Sequence, residues 1–127
     1  MYGENSKKYR ERYEQLPERF VRKIEYDLNY IQQKKLPGLC RIYLFGSAAR
    51  GEVRSTSDID LLVVTKEQVK NRELAADIRW TLDEPIDGVR TDIVYRHEGS
   101  DGELGKENTV FDREVKRDKT LILEVIE

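Results

Sequence analysis

Residues Leu44 to Val64 read LFGSAARGEVRSTSDIDLLVV: an apolar run stops at Gly46-Ser47, and after ten intervening residues a second apolar run opens on Asp58-Ile59-Asp60. The first run begins upstream at Leu39 (LCRIYLF), is rich in β-branched and aromatic residues, and predicts a buried strand. Glycine at position 46 lets the backbone approach a ligand closely, and Ser47-Ala48-Ala49-Arg50 can start a short helix whose unpaired N–H groups favour an anionic phosphate. Ser47 adds a hydroxyl donor. Side chains alternate along a strand, so Asp58 and Asp60 project from one face while Ile59 and Leu61 take the opposite, buried face. Two carboxylates sharing one small volume repel unless a cation neutralises them, and hard oxygen ligands of this kind suit Mg²⁺ or Mn²⁺.

Working outward, Ile59 to Val64 and Val89 to Tyr95 predict two further strands, and Glu67 to Leu82 between them predicts a helix with Val69, Leu74, Ile78 and Leu82 on its inner face. The strand around Thr91-Asp92-Ile93-Val94 supplies a third carboxylate, Asp92, in a run where an acidic residue is otherwise hard to explain. The competing reading of Asp92 is a strand-end aspartate paired with Arg90. In a two-metal arrangement, one ion lowers the pKa of an attacking hydroxyl and the other carries a triphosphate and steadies the leaving pyrophosphate. Asp92 would bind the first ion and accept the nucleophile's proton. Arg50 and Arg54 are candidates for screening phosphates, with a solvated surface role as the competing reading of each.

Upstream, Tyr9, Tyr13, Leu16, Phe20, Ile24, Leu28 and Ile31 recur every three or four residues. This stripe predicts a short helix near residues 6 to 15 and a longer one from Pro17 to just before Pro37-Gly38. Downstream, residues 97 to 107 are glycine-rich and charged and predict a loop, Asn108 caps a further expected helix, and Leu121 to Val125 predicts a last strand. Cys40 is read as a packing residue, Trp80 as packing with stacking on a base as its alternative, and His97, the only histidine, as solvent-facing with general acid-base work as its alternative. Helices and strands interleave, which makes the fold class α/β (α+β).

The chain has 127 residues, 23 Lys and Arg against 25 Asp and Glu, and one cysteine. That length supports one domain, divided here into an N-terminal helical extension, 1–16, and a main domain, 17–127. A net charge of -2 provides no global basic field, so nucleic acid is not required as a partner. The charge is uneven, +3 over residues 1–36 and -5 over 37–127. The basic N-terminal segment with Tyr2, Tyr9 and Tyr13 among Lys7, Lys8, Arg10 and Arg12 is a candidate docking surface, with packing of its apolar stripe on the domain itself as the competing and favoured reading. A lone cysteine, a charged N-terminus and no long apolar window predict a soluble cytoplasmic protein without a membrane span.

Gly46-Ser47, Arg50-Gly51, Ser57-Asp58-Ile59-Asp60-Leu61 and Asp92 together resemble the minimal nucleotidyltransferases of the DNA polymerase β-like superfamily, whose pattern is Gly-Ser, about ten residues, then Asp-x-Asp. The resemblance extends over residues 17 to 126 and is most specific at 44 to 64. It implies a small mixed β-sheet flanked by helices and transfer of a nucleoside monophosphate, AMP from ATP, to a hydroxyl acceptor with Mg²⁺. Gly46, Ser47 and Arg50 are then nucleotide-binding, while Asp58, Asp60 and Asp92 are catalytic and metal-binding. It also implies a partner, since minimal nucleotidyltransferases are commonly encoded beside a helical HEPN-domain toxin that they silence by adding AMP. A chain of this length is expected to have no acceptor-gripping domain of its own. The alternative is a non-catalytic module of the same fold that binds nucleotide or partner, against which the retention of all the site residues argues.

Overall fold

In a computed structural model, residues 5–98 and 118–126 are described. Strand β2 (Leu39–Phe45) runs straight into the five-residue helix α2 (Gly46–Arg50), and β3 (Ile59–Thr65) returns antiparallel to β2. Helix α3 (Arg72–Asp83) then crosses over to β4 (Thr91–His97), which lies parallel to β3, and β5 (Thr120–Val125) pairs antiparallel on the other side of β2. A three-residue strand, β1 (Ser6–Lys8), pairs antiparallel with β5, giving one mixed sheet in the order β1-β5-β2-β3-β4. The small mixed sheet with flanking helices matches the fold expected from the sequence.

One face of the sheet presents Ile42, Leu44, Ile59, Leu61, Val63 and Ile93 to the apolar stripes of α1 (Glu18–Gln33) and α3, and these side chains form one buried cluster. Alternation sends Phe45, Leu62 and Val64 to the opposite face, where they form a smaller cluster with Tyr43 and Val94 against it. Asp60 and Asp92 belong to that second face.

The N-terminal segment departs from expectation. Residues 6–15 are not helical: Ser6–Lys8 is the added strand and Arg10–Arg12 a single 3-10 turn. Long-range pairing overrides the local period. The Tyr9 amide donates to the Ile122 carbonyl at 2.9 Å, Tyr9 Oη donates to Glu124 at 3.0 Å, and Arg12 donates to the Leu121 carbonyl at 2.9 Å. Tyr13 is fully buried with its hydroxyl on Glu25 at 3.0 Å, and Arg10 pairs with the same carboxylate. Of the tyrosines in the candidate docking segment, Tyr13 is fully buried and Tyr9 half-buried with its hydroxyl on Glu124; Tyr2 lies outside the described residues.

Helix α3 begins five residues later than expected because Asn71 caps it, its Oδ1 accepting from the Leu74 amide at 3.0 Å. Ile78 and Leu82 still form the inner face, with Leu74 half-buried beside them. Trp80, read as a packing residue, is 76% exposed on this helix. Cys40 is buried as expected. The expected 97–107 loop falls outside the described residues beyond position 98, as does the helix from Asn108; His97 itself ends β4.

Beneath the start of β4 lies a fully buried ion pair. Lys23 Nζ donates to Asp27 Oδ1 at 2.5 Å, to the Leu82 carbonyl at 2.9 Å and to Thr91 Oγ1 at 2.9 Å, while Thr91 in turn donates to Asp27 Oδ2. Three ammonium donors meet three acceptors, from α1, the last turn of α3 and the first residue of β4. Lys23→Met removes the cation and leaves Asp27 buried without a counter-charge, so urea unfolding at pH 7 should show a loss of about 3–5 kcal/mol. Lys23→Met combined with Asp27→Leu should recover most of it, and a double variant no more stable than the single would disprove the pairing argument.

Candidate active site

The carboxylates expected to act together are assembled by register. β3 and β4 run parallel with Asp60 opposite Asp92, and Phe45 at the end of β2 lies opposite Asp60 from the other side. Adjacent partners in a sheet share a face, so the Asp60 and Asp92 side chains rise together beside the β2-α2 junction. Asp58 precedes β3 by one residue, and Ser57 Oγ fastens its loop by accepting from the Arg54 amide at 2.8 Å. Thus Asp58, Asp60 and Asp92 gather at one end of the sheet, where β2 finishes and β3 and β4 begin.

Gly46 makes this possible. Its φ is 73°, in the left-handed region that favours glycine, and a Cβ placed there would stand 2.6 Å from Asp60 Oδ2. Ser47 follows as the second residue of α2, its carbonyl accepting from the Glu52 amide at 2.9 Å. Arg50 is directed elsewhere: its Nε donates to Glu52 at 2.9 Å and its Nη1 to Asp118 at 2.5 Å, so both neighbours are carboxylates outside the aspartate group.

Burial pushes the Asp60 carboxyl up to about 6, and the charges of Asp92 and then Asp58 push the same way. Among the described residues no three carboxylate, imidazole or thiol side chains form a ready-made group that could hold a metal ion. The chemistry of the donors nevertheless suits one: three carboxylates at one sheet end, mutually repelling, with only hard oxygen to offer. In their present arrangement a guanidinium serves as the cation. Arg90 places Nη1 3.6 Å from Asp58 Oδ2 and Nη2 3.9 Å from Asp92 Oδ1. The competing reading of Asp92 as a partner of Arg90 is therefore partly right, although its tighter partner is Asp83.

Sequence reasoning missed Arg19. From α1 its guanidinium donates to the Ser55 carbonyl at 3.0 Å and to the Asp87 carbonyl at 3.2 Å, clipping together the loops that lead to Asp58 and to Asp92. The second loop is a tight turn in which Asp87 (φ 54°) and Gly88 (φ 80°) are both left-handed and Ile86 and Val89 exchange two 3.0 Å backbone bonds. The Asp-Gly pair before an apolar run was the available signal for that turn; nothing local signals its tie to Arg19.

Residues 24–119 match the model of the nucleotidyltransferase domain. A crystal structure assigned as a nucleotidyltransferase from Sulfolobus solfataricus is 25% identical, with 79% of this chain and 76% of that one covered and a TM-score of 0.51. A structure assigned as a minimal nucleotidyltransferase is 31% identical over 80% of this chain and 89% of that one, with a TM-score of 0.50. A chain from a toxin-antitoxin crystal structure with AMP-PNP is 27% identical over 76% and 70%, with a TM-score of 0.48. No curated protein matches the chain.

Two predictions concern the site itself. The Asp60 carboxyl titrates near 3.8 unfolded and about 6 folded, so the folded state binds more protons in between; this contribution to stability is complete below about pH 4 and is lost as pH rises through 6. Asp60→Asn does not titrate, so without divalent cations its melting temperature should gain on wild type from pH 4 to pH 7; a difference independent of pH would refute this. Gly46→Ala should cost about 1–2 kcal/mol from its backbone conformation alone, and more from the collision. Asp60→Ala in the same chain should relieve only the collision part, read as coupling in a double-mutant cycle of urea midpoints.

Proposed function

The chain belongs to the nucleotidyltransferase domain family, and within it to the minimal nucleotidyltransferases; from that membership we propose that it moves AMP from ATP to a hydroxyl on a HEPN-domain toxin and so acts as the antitoxin. The observation that carries the reading is the pairing of Asp60 with Asp92 on parallel strands, beside a glycine that has no room for a side chain.

Asp58, Asp60 and Asp92 are the residues that would hold Mg²⁺, or Mn²⁺, with two ions expected. When bound, such ions supply charge for the triphosphate and a lower pKa for the attacking hydroxyl. Asp58 and Asp60 orient the nucleotide end of the site, and Ser47 donates its hydroxyl to the phosphates beside Gly46. Asp92 takes the acceptor's proton as the new oxygen–phosphorus bond forms at the α-phosphate and the bond to pyrophosphate breaks. Arg50 joins the phosphate-binding group only by leaving Glu52 or Asp118, so its role is the least direct.

A macromolecular acceptor suits the exposure of the site. The Asp58 and Asp92 side chains are 38% and 59% exposed, which leaves open the approach of a hydroxyl, such as a tyrosine, presented on a folded partner. The HEPN identity of that partner rests on the resemblance of the Gly-Ser and Asp-x-Asp motif. Retention of Ser47 and all three aspartates disfavours the non-catalytic alternative.

Mass spectrometry tests this reading after incubation of the chain with ATP, Mg²⁺ and a HEPN protein encoded beside it. One or more AMP additions on the partner are expected, at least a hundredfold fewer with Asp58→Asn or Asp60→Asn, on the scale expected when a charge-stabilising group at a reacting centre is lost. Asp92→Asn should keep ATP·Mg²⁺ affinity and lose transfer. Nucleotidylation of an aminoglycoside by the chain alone, with no protein modified, would overturn the assignment.

A further inference from the structure

Arg90 is surrounded by carboxylates, and they differ in distance. Its Nε and Nη2 donate to Asp83 Oδ1 at 2.9 and 2.6 Å, whereas Asp58 and Asp92 stand 3.6 and 3.9 Å away. Its main chain is fixed, the carbonyl accepting from the Ile59 amide at 2.8 Å, so only the half-exposed side chain is free to turn. Asp83 is the last residue of α3 and lies outside the set of aspartates expected to hold metal. The guanidinium is thus tethered on one side and leans on the site from the other.

We propose that Arg90 is a built-in counter-ion: it neutralises Asp58 and Asp92 while no divalent cation is present, and withdraws onto Asp83 when one binds. The inference rests on the reading of Asp58, Asp60 and Asp92 as the metal-holding group, and assigns that site a competitor within its own chain. Three carboxylates at one sheet end repel one another, and a guanidinium within 4 Å of two of them lowers that repulsion. A divalent cation between the same carboxylates repels the guanidinium, and Asp83, which already holds it by two hydrogen bonds, keeps it as it turns away from them. Substitutions at the two ends of the tether therefore have opposite signs. Removing the guanidinium strengthens metal binding, and removing Asp83 weakens it by leaving Arg90 with the site carboxylates alone.

The test is Mn²⁺ binding to the whole chain without nucleotide, read from the free-ion electron paramagnetic resonance signal at pH 7.5 and low salt. Arg90→Gln should bind about three- to tenfold more tightly than wild type, Asp83→Asn at least about twofold more weakly, and Arg90→Lys, which keeps the charge, within about twofold of wild type. Asp60→Asn should bind no Mn²⁺ at this site. If binding depends on Asp60 but Arg90→Gln leaves it unchanged or weakens it, the counter-ion role is wrong and the metal reading stands. If wild type shows no Asp60-dependent Mn²⁺ binding, both fall.

Discussion

The Lys23 ammonium, sealed beneath the sheet, fixes where β4 begins. It bonds at once to Asp27 on its own helix, to the last turn of α3 and to Thr91, and so ties two helices to the strand that carries Asp92. An ion buried this deeply costs free energy to desolvate, and its return is geometric: an unpaired charge here would be so unfavourable that few other arrangements of α1, α3 and β4 are open to the chain. The site on the far face inherits that precision. Thr91 points down to Lys23, and alternation along the strand makes its neighbour Asp92 point up beside Asp60.

On the upper face the opposite condition holds. The lower network balances charge for charge, whereas the upper gathers three like charges and pushes the Asp60 carboxyl up to about 6. Backbone register holds them together against repulsion, with Gly46 leaving the space Asp60 occupies and Arg19 clipping the two approach loops. On the proposed reading, a bound cation relieves that repulsion.

Much of this was legible from local pattern. β2 is legible residue for residue, α1 from its apolar stripe, and Asp58 and Asp60 from their spacing, because those features depend on neighbours close in sequence; Asp92 is marked instead by an acidic residue inside an apolar run. What escaped depends on partners far away. Ser6–Lys8 is a strand only because β5, more than a hundred residues on, is there to pair with it. The start of α2 is visible in the sequence, but the Asp118 that draws off Arg50 is not. Lys23 and Asp27 did leave a signal: two opposite charges four apart inside the stripe of Phe20, Ile24, Leu28 and Ile31 belong to the buried side of the helix, where unpaired charge is not tolerated.

β4 lies at one end of the sheet order, so among the described residues one side of its backbone pairs with β3 and the other meets no strand. An edge of this kind can accept a strand from another chain, although Arg79 donates to the Ile93 carbonyl at 2.9 Å and Arg96 to the Tyr95 carbonyl at 3.0 Å. The outward positions of this strand carry Asp92 and Arg96, with Arg90 just before it, charges that an incoming strand would have to desolvate or displace. The carboxylate proposed to take the acceptor's proton thus also places a charge beside the sheet edge, where an incoming strand would meet it.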